Sequence, residues 1–85
     1  MSPNDSGIFA GLARSRLQLS DAPGAIAAYR KAVQLAPTNA GFLVGLGRAY
    51  FMGGDRSHAE EALRRALVID PNNRAAQEGL TAITR

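Results

Sequence analysis

Apolar residues recur along the chain at helical spacing, in stretches separated by small polar and turn-forming residues. This spacing predicts five helices, over about 6–19, 22–35, 40–52, 56–69 and 74–84. Asp21, Asn39 and Asp55 stand just before helices, where their side-chain oxygens can accept hydrogen bonds from free first-turn amides. The connections are short, so neighbouring helices must pack antiparallel. No strand pattern is present, and the chain is predicted to be all-α.

The pattern repeats after 34 residues, with proline at Pro3, Pro37 and Pro71. Proline fixes φ and has no amide hydrogen, so it marks the ends of helices. Aligning residues 6–39 with 40–73 gives 11 identities in 34 positions. A fixed period of this length indicates that one supersecondary unit, here a helix pair, is repeated and stacked. We therefore divide the chain into a linker, two units and a final helix, at 1–5, 6–39, 40–73 and 74–85.

Composition mainly excludes other classes of protein. The chain has no cysteine, which removes disulfides, thiolate metal sites and cysteine nucleophiles. No apolar run approaches the roughly 20 residues that cross a bilayer, and the N-terminus lacks the features of a signal peptide. His58 is a lone histidine, and no phosphate loop, paired-acid site or metal spacing is present. We expect no enzymatic activity, cofactor, metal or membrane insertion. The compartment is left unknown, or cytoplasmic if the chain is complete.

The net charge of +3 keeps nucleic acid among the partners to consider. However, no run of lysine or arginine is longer than two residues, as at Arg30-Lys31 and Arg64-Arg65, and acidic residues are interspersed. A mildly basic surface explains this pattern more simply. Nucleic-acid binding is therefore the last of the hypotheses.

The second unit carries a specific set of residues, Leu43, Leu46-Gly47, Tyr50, Gly54-Asp55, Ala59, Leu63, Ala66 and Asp70-Pro71-Asn72-Asn73. This set resembles the tetratricopeptide repeat. The first unit departs from the family pattern at Arg16, which replaces the aromatic residue that Tyr50 supplies. The resemblance implies a right-handed helical-hairpin solenoid, with two units and a C-terminal capping helix.

The two ends of the chain differ in character. Gln77, Thr81 and Thr84 make the last helix a candidate cap, because nothing stacks on the end of a solenoid. At the other end, residues 2–5 align with the linker at 70–73. Two interpretations stay open, a natural short protein with a vestigial linker or a segment of a longer array, and we favour the segment.

The resemblance implies a concave groove, lined by the first helix of each unit and by the last helix. The residues that this assigns to the groove are Gly7, Ala10, Gly11, Arg14, Leu17, Gln18, Gly41, Val44, Gly45, Arg48, Phe51, Met52, Ala75, Glu78, Gly79 and Ala82. We expect a protein or peptide partner there, within a larger scaffold or adaptor, and no small-molecule substrate.

Three features of this groove have competing explanations. Its glycines at i, i+4 spacing either form a floor for a partner's backbone or allow neighbouring helices to pack closely. Arg14 and Arg48, one repeat apart, either hold an acidic peptide or C-terminal carboxylate or are solvated and paired with Glu78. Near the rim, Phe51 and Met52, with Leu17, are either core residues or an exposed apolar patch.

Self-association is the alternative function. Two and a half units bury little core, and about three are usually needed for stability. The outer face of the first unit, around Ile8 and Leu19, would then pair with a second copy. The expected product is a homodimer through the solenoid ends.

Overall fold

The structure is a computed structural model that describes residues 5–84. Within this range it contains no strand and five helices, α1 Asp5–Gln18, α2 Ala22–Leu35, α3 Ala40–Met52, α4 Arg56–Ile69 and α5 Arg74–Thr84. The predicted all-α helical solenoid is therefore confirmed. Helices α2 to α5 have the predicted bounds, whereas α1 begins and ends one residue earlier. The linker expected at 1–5 lies outside the described residues except for Asp5, and the division into units stays a prediction.

Side-chain caps set where the last four helices begin. Asp21, Asn39 and Asp55 each accept a hydrogen bond from the amide three residues further on, at 3.0, 3.1 and 3.1 Å. Asn73 does the same for α5 at 2.9 Å. Each bond satisfies one of the amide donors that the first turn of a helix leaves free.

The turns inside the two helix pairs contain a residue with left-handed backbone. In the second unit this residue is Gly54, with φ +85°, and in the first it is Ser20, with φ 60°. Glycine adopts this conformation freely, whereas a Cβ makes it unfavourable. Gly54 thus ends α3 in a turn that suits its residue type, and the first unit forms the same turn with a less suitable residue.

The core is built from small residues at the helix crossings and a few large ones between them. Its completely buried alanines, at 0% exposure, are Ala13, Ala25, Ala32, Ala49, Ala59, Ala66 and Ala76. Leu43 and Leu63 fill the space beside them. At Gly47 an added Cβ would lie 2.8 Å from Cγ of Leu63, so α3 and α4 cross too closely for a side chain there.

Four apolar residues that follow the helical pattern are not buried as that pattern suggests. Leu35 and Ile69 are 48% and 40% exposed, and each is the last residue of its helix. On α1, Ile8 and Leu12 are 66% and 45% exposed, because no helix among residues 5–84 covers this side of α1. The repeat equivalent of Leu12 is Leu46 on α3, a helix that packs between α2 and α4, and Leu46 is 6% exposed.

The helices stack in sequence order into an elongated molecule of 42 × 27 × 16 Å. Helix α2 packs against α1 and α3, and α4 packs against α3 and α5. Helix α3 also contacts α1 and α5, which precede and follow it in the odd-numbered series. In contrast, no Cα atom of α2 lies within 8 Å of a Cα atom of α4. None of these helices is long and apolar enough to cross a membrane. The molecule therefore has one surface formed by α1, α3 and α5 and an opposite surface on which α2 and α4 stand apart.

Candidate functional site

The surface formed by α1, α3 and α5, which we call the groove face, carries most of the predicted groove residues. Those that are exposed are Gly7, Gly11, Arg14, Gln18, Gly41, Arg48, Phe51, Met52, Glu78 and Ala82. Leu17, Ala75 and Gly79 are half-buried. In α3 every exposed residue belongs to the predicted groove.

Three predicted groove residues belong to the core instead. Ala10 and Val44, which are repeat equivalents, are 3% and 6% exposed, and Gly45 is also buried. Both side chains belong to the main hydrophobic cluster, which leaves no surface for a partner to contact. We therefore remove Ala10, Val44 and Gly45 from the candidate surface.

The predicted groove glycines at i, i+4 spacing form what we call the glycine stripe, and two of them are required by packing within the chain. An added Cβ at Gly45 would overlap the ring of Tyr29 and lie 2.7 Å from its Oη. At Gly79 an added Cβ would lie 2.9 Å from Cδ1 of Leu63. Tyr29 and Leu63 are one repeat apart, as are the two glycines, so the same contact occurs twice. At these positions the correct explanation is close packing between helices.

The other glycines of the stripe have no such neighbour. Among the described residues, an added Cβ at Gly7 or Gly11 would meet nothing within 4 Å, and at Gly41 it would meet only Oδ1 of the capping Asn39, at 3.2 Å. Packing within the described residues therefore does not require glycine at these positions. They leave stretches of bare backbone on α1 and at the start of α3.

Arg14 and Arg48 occupy equivalent positions on α1 and α3, and both are exposed. The ion pairs found among residues 5–84 involve neither of them, so no carboxylate in that range lies within 4.0 Å of either guanidinium. The pairing with Glu78 considered from the sequence is absent there. Each guanidinium keeps its N–H donors available, and a carboxylate matches their planar geometry.

Apolar side chains lie next to Arg48 on the same surface of α3. Phe51 and Met52 are each 47% exposed, and they follow Arg48 by three and four residues, which makes them its neighbours on a helix. Phe51 is thus not a core residue. Leu17, its repeat equivalent on α1, packs partly against the core.

The first unit replaces an aromatic contact with an ion pair where Arg16 departs from the family pattern. Nη1 of Arg16 donates to Oδ2 of Asp21 at 2.9 Å, and its Cδ would lie 2.9 Å from a Cβ added at Gly24. In the second unit Tyr50 stacks on His58, the equivalent of Gly24, with ring centroids 5.0 Å apart. Arg16 thus has a structural role in connecting α1 to the following turn.

Hydrogen bonding lowers the pKa of both aspartates that cap the second helices. The amide of Gly24, followed by the Arg16 guanidinium, holds the pKa of Asp21 below its usual range. For Asp55 the main cause of the lowered pKa is the amide of His58, and the imidazole of that residue adds to it. Nδ1 of His58 lies 2.6 Å from Oδ2 of Asp55. Among residues 5–84 no three potential metal-ligating side chains come together, and His58 serves this cap.

A second concavity lies on the opposite surface, where sequence reasoning placed no site. It is a cleft of about 710 Å³ between α2 and α4, lined among others by Arg30, Lys31, Leu46, Tyr50 and Arg65. The signal in the sequence was the pair of basic dipeptides 34 residues apart, which we interpreted as a mildly basic surface.

Antiparallel helix pairs with one helix of each pair on a shared face define a helical-repeat solenoid of the kind that presents a surface to other molecules. A sequence model of the tetratricopeptide repeat matches residues 16–83. The match covers most of the chain, so this protein belongs to the tetratricopeptide repeat family. Comparison with individual curated proteins gives no significant match. Members of the family are generally non-enzymatic modules of protein–protein interaction.

Proposed function

We propose that this chain binds a peptide segment of a partner protein on the groove face, as one part of a larger scaffold or adaptor. The observation that carries the proposal is the pair of equivalent, exposed arginines on α1 and α3 that have no carboxylate near them among residues 5–84. Because Arg14 and Arg48 are equivalent positions of adjacent repeats, we infer that their guanidinium groups share one face.

The chemistry of this face favours a partner with carboxylates. A guanidinium holds a carboxylate through two parallel hydrogen bonds, and two arginines select acidic side chains or a C-terminal carboxylate over neutral groups. Bare backbone at Gly7 and Gly41 lets a bound chain approach α1 and α3 closely. Phe51 and Met52 provide an apolar contact beside Arg48, which suits one apolar side chain of the partner.

Charge reversal tests this proposal with a displayed library of peptides that end in free carboxylates. We expect the double variant Arg14→Glu/Arg48→Glu to lose capture of the acidic peptides that the unmodified chain selects, because both anchoring cations become repulsive. Helicity measured by circular dichroism should stay unchanged, since both side chains are exposed.

Arg64→Glu is the control for the single variants Arg14→Glu and Arg48→Glu, because it makes the same change in charge on α4, outside both the groove face and the cleft between α2 and α4. Capture that survives the groove-face change, or that the control removes equally, would contradict the proposal. Amidated versions of the selected peptides then distinguish a C-terminal carboxylate from acidic side chains.

Self-association is a second candidate function, and the uncovered side of α1 favours it. Ile8, Leu12 and Leu19 are 66%, 45% and 78% exposed, and no described residue occupies the space beside Gly11, on the same helix, that a Cβ would enter. At the equivalent Gly45, the ring of Tyr29 occupies the space that a Cβ would enter. We propose that a second copy of the chain covers this side of α1, which light scattering across a concentration series tests directly.

A further inference from the structure

The cleft on the surface opposite the groove face results from the separation of α2 and α4. The Cα atoms of these helices do not come within 8 Å of each other, and α3 closes the space between them from below. The resulting volume of about 710 Å³ lies within the roughly 300–1,000 Å³ typical of pockets that hold ligands. The cleft is thus a concave feature large enough for several side chains of a partner.

The floor and the rim of this α2–α4 cleft differ in chemistry. Val33, Leu46 and Ala62 form a buried apolar floor. The rim carries exposed cations on both sides, Arg30-Lys31 on α2 and Arg65 on α4. Among residues 5–84, Glu61 is the only acidic residue in its lining.

Within the described part of the chain, Glu61 offsets only part of the positive charge of the rim. No ion pair among residues 5–84 includes Arg30, Lys31 or Arg65. Arg64 provides a comparison, because it is the repeat equivalent of Arg30 but does not line the cleft. Its Nη2 lies 3.1 Å from Oε1 of Glu60. Cations that face the cleft are therefore available to carboxylates from outside the chain.

We propose that the α2–α4 cleft binds an acidic segment of another protein. The segment places carboxylates against Arg30, Lys31 and Arg65 and an apolar side chain on the floor at Leu46. This site is separate from the groove face, so the chain can hold two partner segments on its two surfaces.

The aromatic residues of the cleft argue against nucleic acid as the occupant. Proteins that bind single strands stack bases on exposed aromatic faces. Tyr50 is half-buried, and its ring already stacks on His58 at 5.0 Å. The buried apolar floor instead matches a peptide side chain.

Fluorescence anisotropy with a short labelled peptide of glutamate and leucine tests the proposal at low and high salt. We expect Arg65→Gln to weaken binding roughly two- to fivefold, as loss of one exposed ion pair does. Replacement of Arg30, Lys31 and Arg65 together by glutamine should weaken it about tenfold or more. Arg64→Gln is the matched control, since it removes the same charge one residue away, and it should leave the affinity unchanged. A peptide with glutamine in place of glutamate should not bind.

Each other outcome overturns the proposal. Equal weakening by Arg64→Gln and Arg65→Gln would mean general attraction rather than binding in the cleft. Loss of binding in Arg14→Glu/Arg48→Glu alone would place the peptide on the groove face. The two proposals are tested separately, because a chain that binds no peptide on the groove face can still bind one in the cleft. Absence of peptide binding at low salt, or displacement of the peptide only by mixed-sequence RNA, would also exclude an acidic protein segment as the occupant. Circular dichroism confirms that every variant is folded.

Discussion

Glycine residues at equivalent positions of the two units have opposite surroundings. Gly45 on α3 faces the buried ring of Tyr29, whereas Gly11 on α1 faces open space among the described residues. The residue type is the same, but packing requires it in only one of the two units. Sequence alone left close packing and a bare floor as equal explanations, because the spacing of the glycines is identical in both cases.

Alanine substitution should separate these two situations. We expect Gly45→Ala to lower the free energy of unfolding by about 1–2 kcal/mol, because overpacking against Tyr29 outweighs the gain in helix propensity. Gly11→Ala should raise it by roughly 0.5–1 kcal/mol, since the added methyl group meets no neighbour. Denaturant titration measures both, and each variant is the matched control for the other. Equal stabilisation by both alanines would show that the packing of Tyr29 does not require glycine at position 45.

At the scale of the helices, local signals predicted the fold well. The capping residues, the prolines and the 3.6-residue spacing lie within each helix or next to it, and the bounds of α2 to α5 follow from them. Burial on α1 was not predictable in this way, because whether Leu12 is covered depends on which helix packs against it. The assignment of Ala10 and Val44 to the groove was wrong. Successive residues of a helix differ by about 100° in direction, so a small rotation of the helix moves a side chain from the surface to the core.

The aspartate caps of α2 and α4 should make stability depend on pH in the acidic range. The pKa values of Asp21 and Asp55 are lower in the folded chain than in the unfolded chain, chiefly because backbone amides donate to them. Their contribution is therefore present above the unfolded pKa of about 3.9 and is lost as pH falls through the folded values. We expect the melting temperature to fall as pH drops below about 4.

Asparagine at both caps provides the test of this dependence. The variant Asp21→Asn/Asp55→Asn keeps a capping oxygen but cannot titrate, so its melting temperature should change less between pH 5 and pH 2. Asp70→Asn is the control, because the hydrogen bonds found among residues 5–84 include none accepted by its side chain. An unchanged slope in the double variant would assign the acid sensitivity to other groups.

At the scale of the whole molecule, α3 connects the two candidate surfaces. It presents Arg48 to the groove face and contributes Leu46 and Tyr50 to the α2–α4 cleft. The repeat in the sequence predicted part of the groove face, since equivalent positions share a face. It did not predict the cleft, because the cleft depends on the distance between two helices that are not neighbours in sequence. No local pattern records such a distance.

The uncovered side of α1 decides whether the chain is a monomer. A specific interface usually buries about 800 Å² on each partner, and one helix face offers less, so we expect self-association only at high concentration. Leu12→Gln should lower the apparent mass there in light scattering, with little change in stability because Leu12 is already 45% exposed. Val68→Gln is the matched control, since Val68 is 82% exposed on α4, away from α1. If a second copy inserts a side chain beside Gly11, Gly11→Ala should also weaken dimer formation, although this change stabilises the folded chain. A mass that equals one chain at every concentration, or that both glutamine variants lower equally, would exclude the α1 face as the interface.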